Sequence, residues 1–463
     1  MSQHRVSEDV TLEVEPYELD PAAEAAAVAP TARQPLPTRE EFERAAEAVL
    51  RDGRLGAVAG AARPYRPMPP YVDQTLPDGN VGRLVTVGLH DPNGAVQHRI
   101  VGVRLGDGAV VDDLDGVPLP SAHSCEPTPP VDACPDPGGP ASVRLHITKA
   151  GTRLWDLVVV RPRDSSGTNG SGVELRWVDY RGQRVLDRAH VPILNVLYGS
   201  AGQHLHCGPS YRDWLNQEAC LKADGTEPYG AGFRVCSSAP QTILESGVDD
   251  GNFRGVAIWY SAGELRLVSE LAAGWYRYVS DWRLLDDGRI LPRFGFAATA
   301  NPCTCSVHNH HAYWRLDLDI RSTTSQVVDE HNDPPEPGST VWHQLKQEVK
   351  RGRRSTLNRF WRVRQHGTST GYDLVPGPHD GTPDAFGVGD VWILRNRESE
   401  LDDGQGFTTD PALAKAAIDK FVSGESVQNT DVVLWYAGHF THDESDPTPH
   451  PHVVGPELRP VNW

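Results

Sequence analysis

From about residue 140 almost to the C-terminus, short runs rich in Val, Trp and Tyr recur between turns of Gly, Asp and Asn. Leu154 to Val160, Gly172 to Tyr180, Val256 to Tyr260, Leu265 to Leu271 and Trp282 to Leu285 are examples. Many short strands without intervening helices predict a large antiparallel β-sandwich over residues 136–463. A single helical interlude is expected at Pro411 to Phe421, and no internal repeat is visible. The pattern before residue 136 differs. Thr38-Arg39-Glu40-Glu41 makes a capping box, after which Phe42, Ala45, Ala46, Val49 and Leu50 share one helical face until Gly53. Leu84 to Leu89 and Ala95 to Leu105 read as strands joined through the turn Asp91-Pro92-Asn93-Gly94. Residues 36–135 are therefore expected to be a small α+β domain with a linker, since Pro118 to Pro140 is proline-rich and holds Cys125 and Cys134. Residues 1–35, acidic and rich in alanine and proline, read as a flexible arm that is disordered or wraps a neighbour.

Candidate chemistry is concentrated in His308-Asn309-His310-His311-Ala312-Tyr313-Trp314-Arg315-Leu316-Asp317-Leu318-Asp319. As a strand, this run projects His308 and His310 side by side, which is half of a metal site. Imidazole suits copper, zinc and iron alike, so a third ligand from elsewhere must complete and define it. Composition narrows the partners. A formal charge of -18 argues against a nucleic-acid groove or an anionic membrane surface and leaves small molecules or protein. Gly 44 and Pro 38, with charged residues at 23%, fit a turn-rich β protein. No export signal or membrane span is visible, and seven irregularly spaced cysteines do not form a secreted disulfide framework, so a cytoplasmic protein is expected.

Several landmarks together resemble the copper amine oxidase family. His308-Asn309-His310, followed by Arg315, Asp317 and Asp319, is similar to the strand that supplies two copper ligands there. Asn429-Thr430-Asp431-Val432-Val433-Leu434-Trp435-Tyr436 leads through Gly438 to His442, like the family's third-ligand segment, and Leu458-Arg459-Pro460-Val461-Asn462-Trp463 matches its usual ending. Trp361-Arg362-Val363 and Gly371-Tyr372-Asp373-Leu374-Val375-Pro376-Gly377 also read like family sequence. The resemblance implies copper on His308, His310 and His442, and a homodimer. It also implies topaquinone formed from Tyr276 in Gly274-Trp275-Tyr276-Arg277-Tyr278, in register with the Asp287-Gly288 turn. Trp275 and Arg277 depart from the family motif, which has an amide and an acid there. Tyr198 in Val196-Leu197-Tyr198-Gly199 resembles the tyrosine that hydrogen-bonds the quinone, and Asp213 falls near the position of the catalytic base. Trp214-Leu215-Asn216 replaces the Gly-rich sequence that usually follows that base.

The same resemblance implies a disulfide between Cys220 and Cys236, and a calcium-type site from Asp317, Asp319 and Asp431 with the carbonyls of Leu318 and Val432. Cys303 and Cys305 have no assignable counterpart. His204 and His206 form a second His-x-His; they read as ordinary loop sequence, with a second metal as the alternative. The implied reaction oxidises a primary amine with O2 to an aldehyde, releasing hydrogen peroxide and ammonia. Two alternatives remain open at this point. One is a quinone-free copper oxidase or oxygenase of specialised biosynthesis with Tyr276 unmodified, suggested by the altered flanks and the extra histidines. The other is a non-catalytic binding protein.

Overall fold

The computed structural model describes residues 2–20, 36–55, 62–75, 81–91, 99–112, 138–197, 210–299, 307–406, 411–443 and 453–463, with residues 60, 79, 134 and 304. Among these, the chain is mainly β, and two large, mostly antiparallel sheets carry most of it. The strands that build the site are β1 (Gln183–Leu197), β2 (Glu264–Ala273), β3 (Tyr276–Leu285), β4 (Ile290–Ala298), β5 (His308–Leu318) and β6 (Val432–His442). In the first sheet β1, β5 and β6 are consecutive neighbours; in the second β2, β3 and β4 are. The inner faces share one apolar core, with Leu194, Trp314, Leu434 and Tyr436 from the first sheet against Trp282, Phe294 and Phe296 from the second. Strand periodicity explains this division: Ala312, Trp314 and Leu316 enter the shared core, while Tyr313 packs behind the sheet with Trp392, Val433 and Trp435.

The smaller sheet pairs Val81–His90 with Arg99–Arg104 and is covered by helix α1 (Arg39–Arg51). Both halves of the expected capping box form: Thr38 Oγ1 accepts from Glu41 N, and Thr38 N donates to Glu41 Oε2. Ala45, Ala46 and Val49 are buried against Val85, Val87 and Val101. Leu50, expected on the same face, is 44% exposed, and the helix stops at Arg51 with Asp52 as its cap. The Asp91-Pro92-Asn93-Gly94 turn lies outside the described residues beyond Asp91.

The structure corrects three further expectations. The first half of the supposed arm is a pair of strands, Ser2–Arg5 and Val10–Tyr17, the latter joined to Ser142–Lys149 in the first sheet. Val10, Leu12 and Val14 are buried and alternate with Thr11, Glu13 and Glu15, so the acidic composition concealed a two-residue period. The helical interlude is shorter than expected, a turn of helix at Pro411–Ala414 and a separate 3-10 turn at Ile418–Phe421. Cys220 is bonded to Cys134, not to Cys236, which is a free buried thiol that burial pushes up to about 12. The link joins the Pro-rich segment to the sandwich, a path that no local pattern encodes.

Candidate copper centre

Pairing of β5 with β6 sets His308 opposite His442 and His310 opposite Phe440. Side chains two apart in a strand share a face, so all three imidazoles meet between the sheets. They are almost fully buried, and His308 Nε2 lies 3.2 Å from His442 Nδ1. Phe296 stacks on His310 at 4.0 Å between ring centres, and Phe440 lies parallel to it at 5.1 Å. The His308 ring centre lies 5.0 Å from that of His310 and 4.7 Å from that of His442, and three buried imidazoles with apolar walls are donors of the kind that suits copper.

Tyr276 opens β3 on the facing sheet. Its hydroxyl is 2.7 Å from His308 Nε2, and its ring meets His310 edge-on at 4.9 Å. The tight turn before it explains the local sequence: Gly274 has φ +60°, a left-handed geometry suited to the first position of a two-residue hairpin, and Ala273 pairs with Tyr276. A Cβ at Gly274 would also come 2.5 Å from Met68 Cγ.

The replaced flanks of Tyr276 have partners of their own. Strand alternation turns Arg277 to the opposite face, where it makes a two-pronged ion pair with Asp249 at 3.0 Å on each arm. The guanidinium is thus neutralised by a carboxylate behind the sheet and does not face the ring. Trp275 is buried and touches the Tyr276 ring edge-on at 6.3 Å.

Asp213 follows the short strand Ser210–Arg212, which pairs with β1, and its amide donates to Leu194 O. Trp214, standing where the family has Gly-rich sequence, donates from its indole to Ala272 O and so ties this segment to the β2–β3 hairpin. The Asp213 carboxyl accepts from the Tyr278 hydroxyl at 2.5 Å, and that hydroxyl is 3.3 Å from His310 Nδ1. Burial pushes Asp213 up to about 8, opposed by the Tyr278 hydrogen bond, and its Oδ1 has no hydrogen-bond partner among the described residues. Tyr278 is itself pushed well above its usual range, first by burial and then by the nearby Asp213 charge. The sequence reading missed Tyr278, although its place two residues after Tyr276 in a strand was the available signal.

Tyr198, His204, His206, Cys303 and Cys305 lie outside the described residues. Asp317, Asp319 and Asp431 do converge, each offering an oxygen within 4.8 Å of the others, beside Leu318 and Val432 at the strand ends. Burial and mutual repulsion push Asp317 up to about 7 and Asp319 to about 8, while Asp431 is also raised, mainly by burial.

Residues 292–463 match the family described as copper amine oxidase, enzyme domain, a stretch that includes all three imidazoles. Over this stretch, which is less than half of its length, the chain is similar to the copper amine oxidases. Two relatives from Arabidopsis thaliana are amine oxidase [copper-containing] alpha 2, peroxisomal, and amine oxidase [copper-containing] gamma 2. The first is 26% identical over 188 residues, covering 34% of this chain and 28% of the relative. The second is 25% identical over 271 residues, covering 45% and 39%. The chain thus spans well under half the length of these curated relatives. Among solved structures, a lysyl oxidase from Pichia pastoris superposes with a TM-score of 0.51 at 11% identity, over 98% of this chain and 80% of that one. This last likeness concerns the fold alone.

Proposed function

We propose that the protein is a copper-dependent oxidase of primary amines that uses O2 and releases an aldehyde, hydrogen peroxide and ammonia. The observation that carries this reading is the Tyr276 hydroxyl 2.7 Å from His308 Nε2, inside a cluster completed by His310 and His442. Copper held by these three residues would supply one-electron chemistry with dioxygen, and topaquinone made from Tyr276 would supply the electrophilic carbonyl for an amine. The protein's own groups do the rest. Asp213 takes the proton from the carbon beside the amine nitrogen; a carboxyl near 8 is a strong enough base for this once ionised. Tyr278 holds that carboxylate by its hydroxyl and favours the ionised form. Phe296 and Phe440 wall the imidazoles with apolar surface and limit water.

The proposal extends to a homodimer, a cytoplasmic location and a calcium-type ion on Asp317, Asp319 and Asp431, whose hard oxygens suit it. A second reading keeps the copper and leaves Tyr276 unmodified, as a copper oxidase or oxygenase acting directly on a specialised substrate. Its support is the buried Trp275 against the Tyr276 ring, where the family motif has a small amide. Copper added in air should generate a visible quinone band that shifts with phenylhydrazine, and a mass change on the Tyr276 peptide. Copper-loaded, aerated protein that stays colourless with an unmodified peptide would remove the amine oxidase reading and leave the quinone-free one. Light scattering at micromolar concentration tests the dimer.

A further inference from the structure

The reverse face of the β5–β6 pair is apolar along most of its length, where Tyr313, Val433, Trp435 and Ala437 pack with Trp392. Directly behind the imidazoles it becomes polar. His311 stands opposite His439 and Asn309 opposite Thr441. His311 and His439 are 1% and 2% exposed, with their Nδ1 atoms 2.8 Å apart. Gly389 O can only accept, so His439 Nε2, 3.0 Å away, carries the proton and its Nδ1 accepts from His311 Nδ1–H. Thr441 Oγ1 donates to Asn309 Oδ1 at 2.8 Å, and Asn309 Nδ2 donates to Asp384 Oδ2 at 2.9 Å. Asp384 is held in turn by the amides of Phe386 and Gly387. Gly387 lies so close that a Cβ there would come 2.4 Å from His311 Nδ1, so this loop can cover the pair only with glycine.

Apolar packing is non-directional and tolerates sliding, whereas buried donor–acceptor pairs are satisfied in one alignment only. A slip of one residue between these strands would turn His442 away from His308. We propose that His311 and His439, aided by Asn309 and Thr441, are positioning residues of the copper site, fixing the β5–β6 register from behind the metal. This rests on the copper reading above.

The test uses the full-length, copper-loaded protein and reads copper retention against a competing chelator, the copper electron paramagnetic resonance spectrum and the melting temperature. His439→Ala should weaken copper binding by about 10- to 100-fold and change the spectrum. His439→Gln, which can still accept and donate, should recover most of both. Thr441→Val, a smaller change that keeps the fold, should weaken binding by a few-fold. Val433→Ala, in the apolar part of the same face, should lower the melting temperature while leaving affinity and spectrum unchanged. Native affinity and spectrum in both His439→Ala and Thr441→Val would overturn the proposal. So would copper loss that merely follows melting temperature through Val433→Ala. A second metal equivalent in the parent protein, absent from His439→Ala, would replace positioning by a second metal centre. A parent protein without copper would instead defeat the copper reading itself.

Discussion

The two ends of the β5–β6 pair gather opposite kinds of donor. At one end three imidazoles meet, and about 30 Å along the same strands three carboxylates do. The imidazoles can be neutral, stack on aromatic rings and hydrogen-bond one another or a tyrosine, so they can be buried together without an ion. The carboxylates resist ionising together: one oxygen of each has no hydrogen-bond partner among the described residues, and Arg315, 3.6 Å from Asp317, offsets only part of their charge. Losing copper should therefore remove function and spare the fold. Losing a hard cation at the acid end should weaken the fold.

The largest effect is expected from His442→Ala, with copper falling from about one per chain to near zero and turnover to background, while the melting temperature shifts little. Metal analysis beside oxygen consumption would read this, and stoichiometric copper in the variant would take His442 out of the centre. Next comes Asp213→Asn, which should slow turnover roughly 10²- to 10⁴-fold with copper retained. A loss of copper in that variant would mean that Asp213 serves the metal and not the substrate.

The acid end gives a smaller, opposite signature. Asp317 and Asp319, raised to about 7 and 8, hold protons in the folded protein that the unfolded chain has released above about pH 4. More protons are bound folded than unfolded, so stability falls as pH rises from about 4 to about 8. Metal-free protein melted across that range should lose several degrees, and calcium should restore them by binding the folded form. Asp319→Asn should flatten the slope and abolish the calcium response; an unchanged calcium response would break the contrast. Smallest of all, Tyr278→Phe removes the hydrogen bond that lowers Asp213. The acid limb of kcat/KM should move upward by less than about one pH unit, with a few-fold loss of rate.

What could be read before the fold was known depended on how local its cause is. The period of two that turns His308 and His310 to one side is written in consecutive residues, as is the Thr38 capping box. His442 entered only through resemblance, because its placement opposite His308 depends on antiparallel register, which neither strand contains alone. The contact between Asp213 and Tyr278 crosses from one sheet to the other and has no sequential signature. The same holds for the Arg277–Asp249 pair, which leaves Arg277 unable to face the ring despite its position beside Tyr276. Cys236 was linked to Cys220 through family likeness, while the true partner, Cys134, reaches it from a proline-rich segment.

The small domain also reaches the hairpin that presents Tyr276. Arg66 lies over the Trp214 ring at 4.7 Å and donates to Gln217, while Met68 fills the space beside Gly274. A side chain at 274 would meet both the left-handed backbone and Met68, and removing the small domain would bare the hairpin to solvent at Trp214 and Gly274. The α+β unit thus behaves as a roof over the hairpin that presents Tyr276.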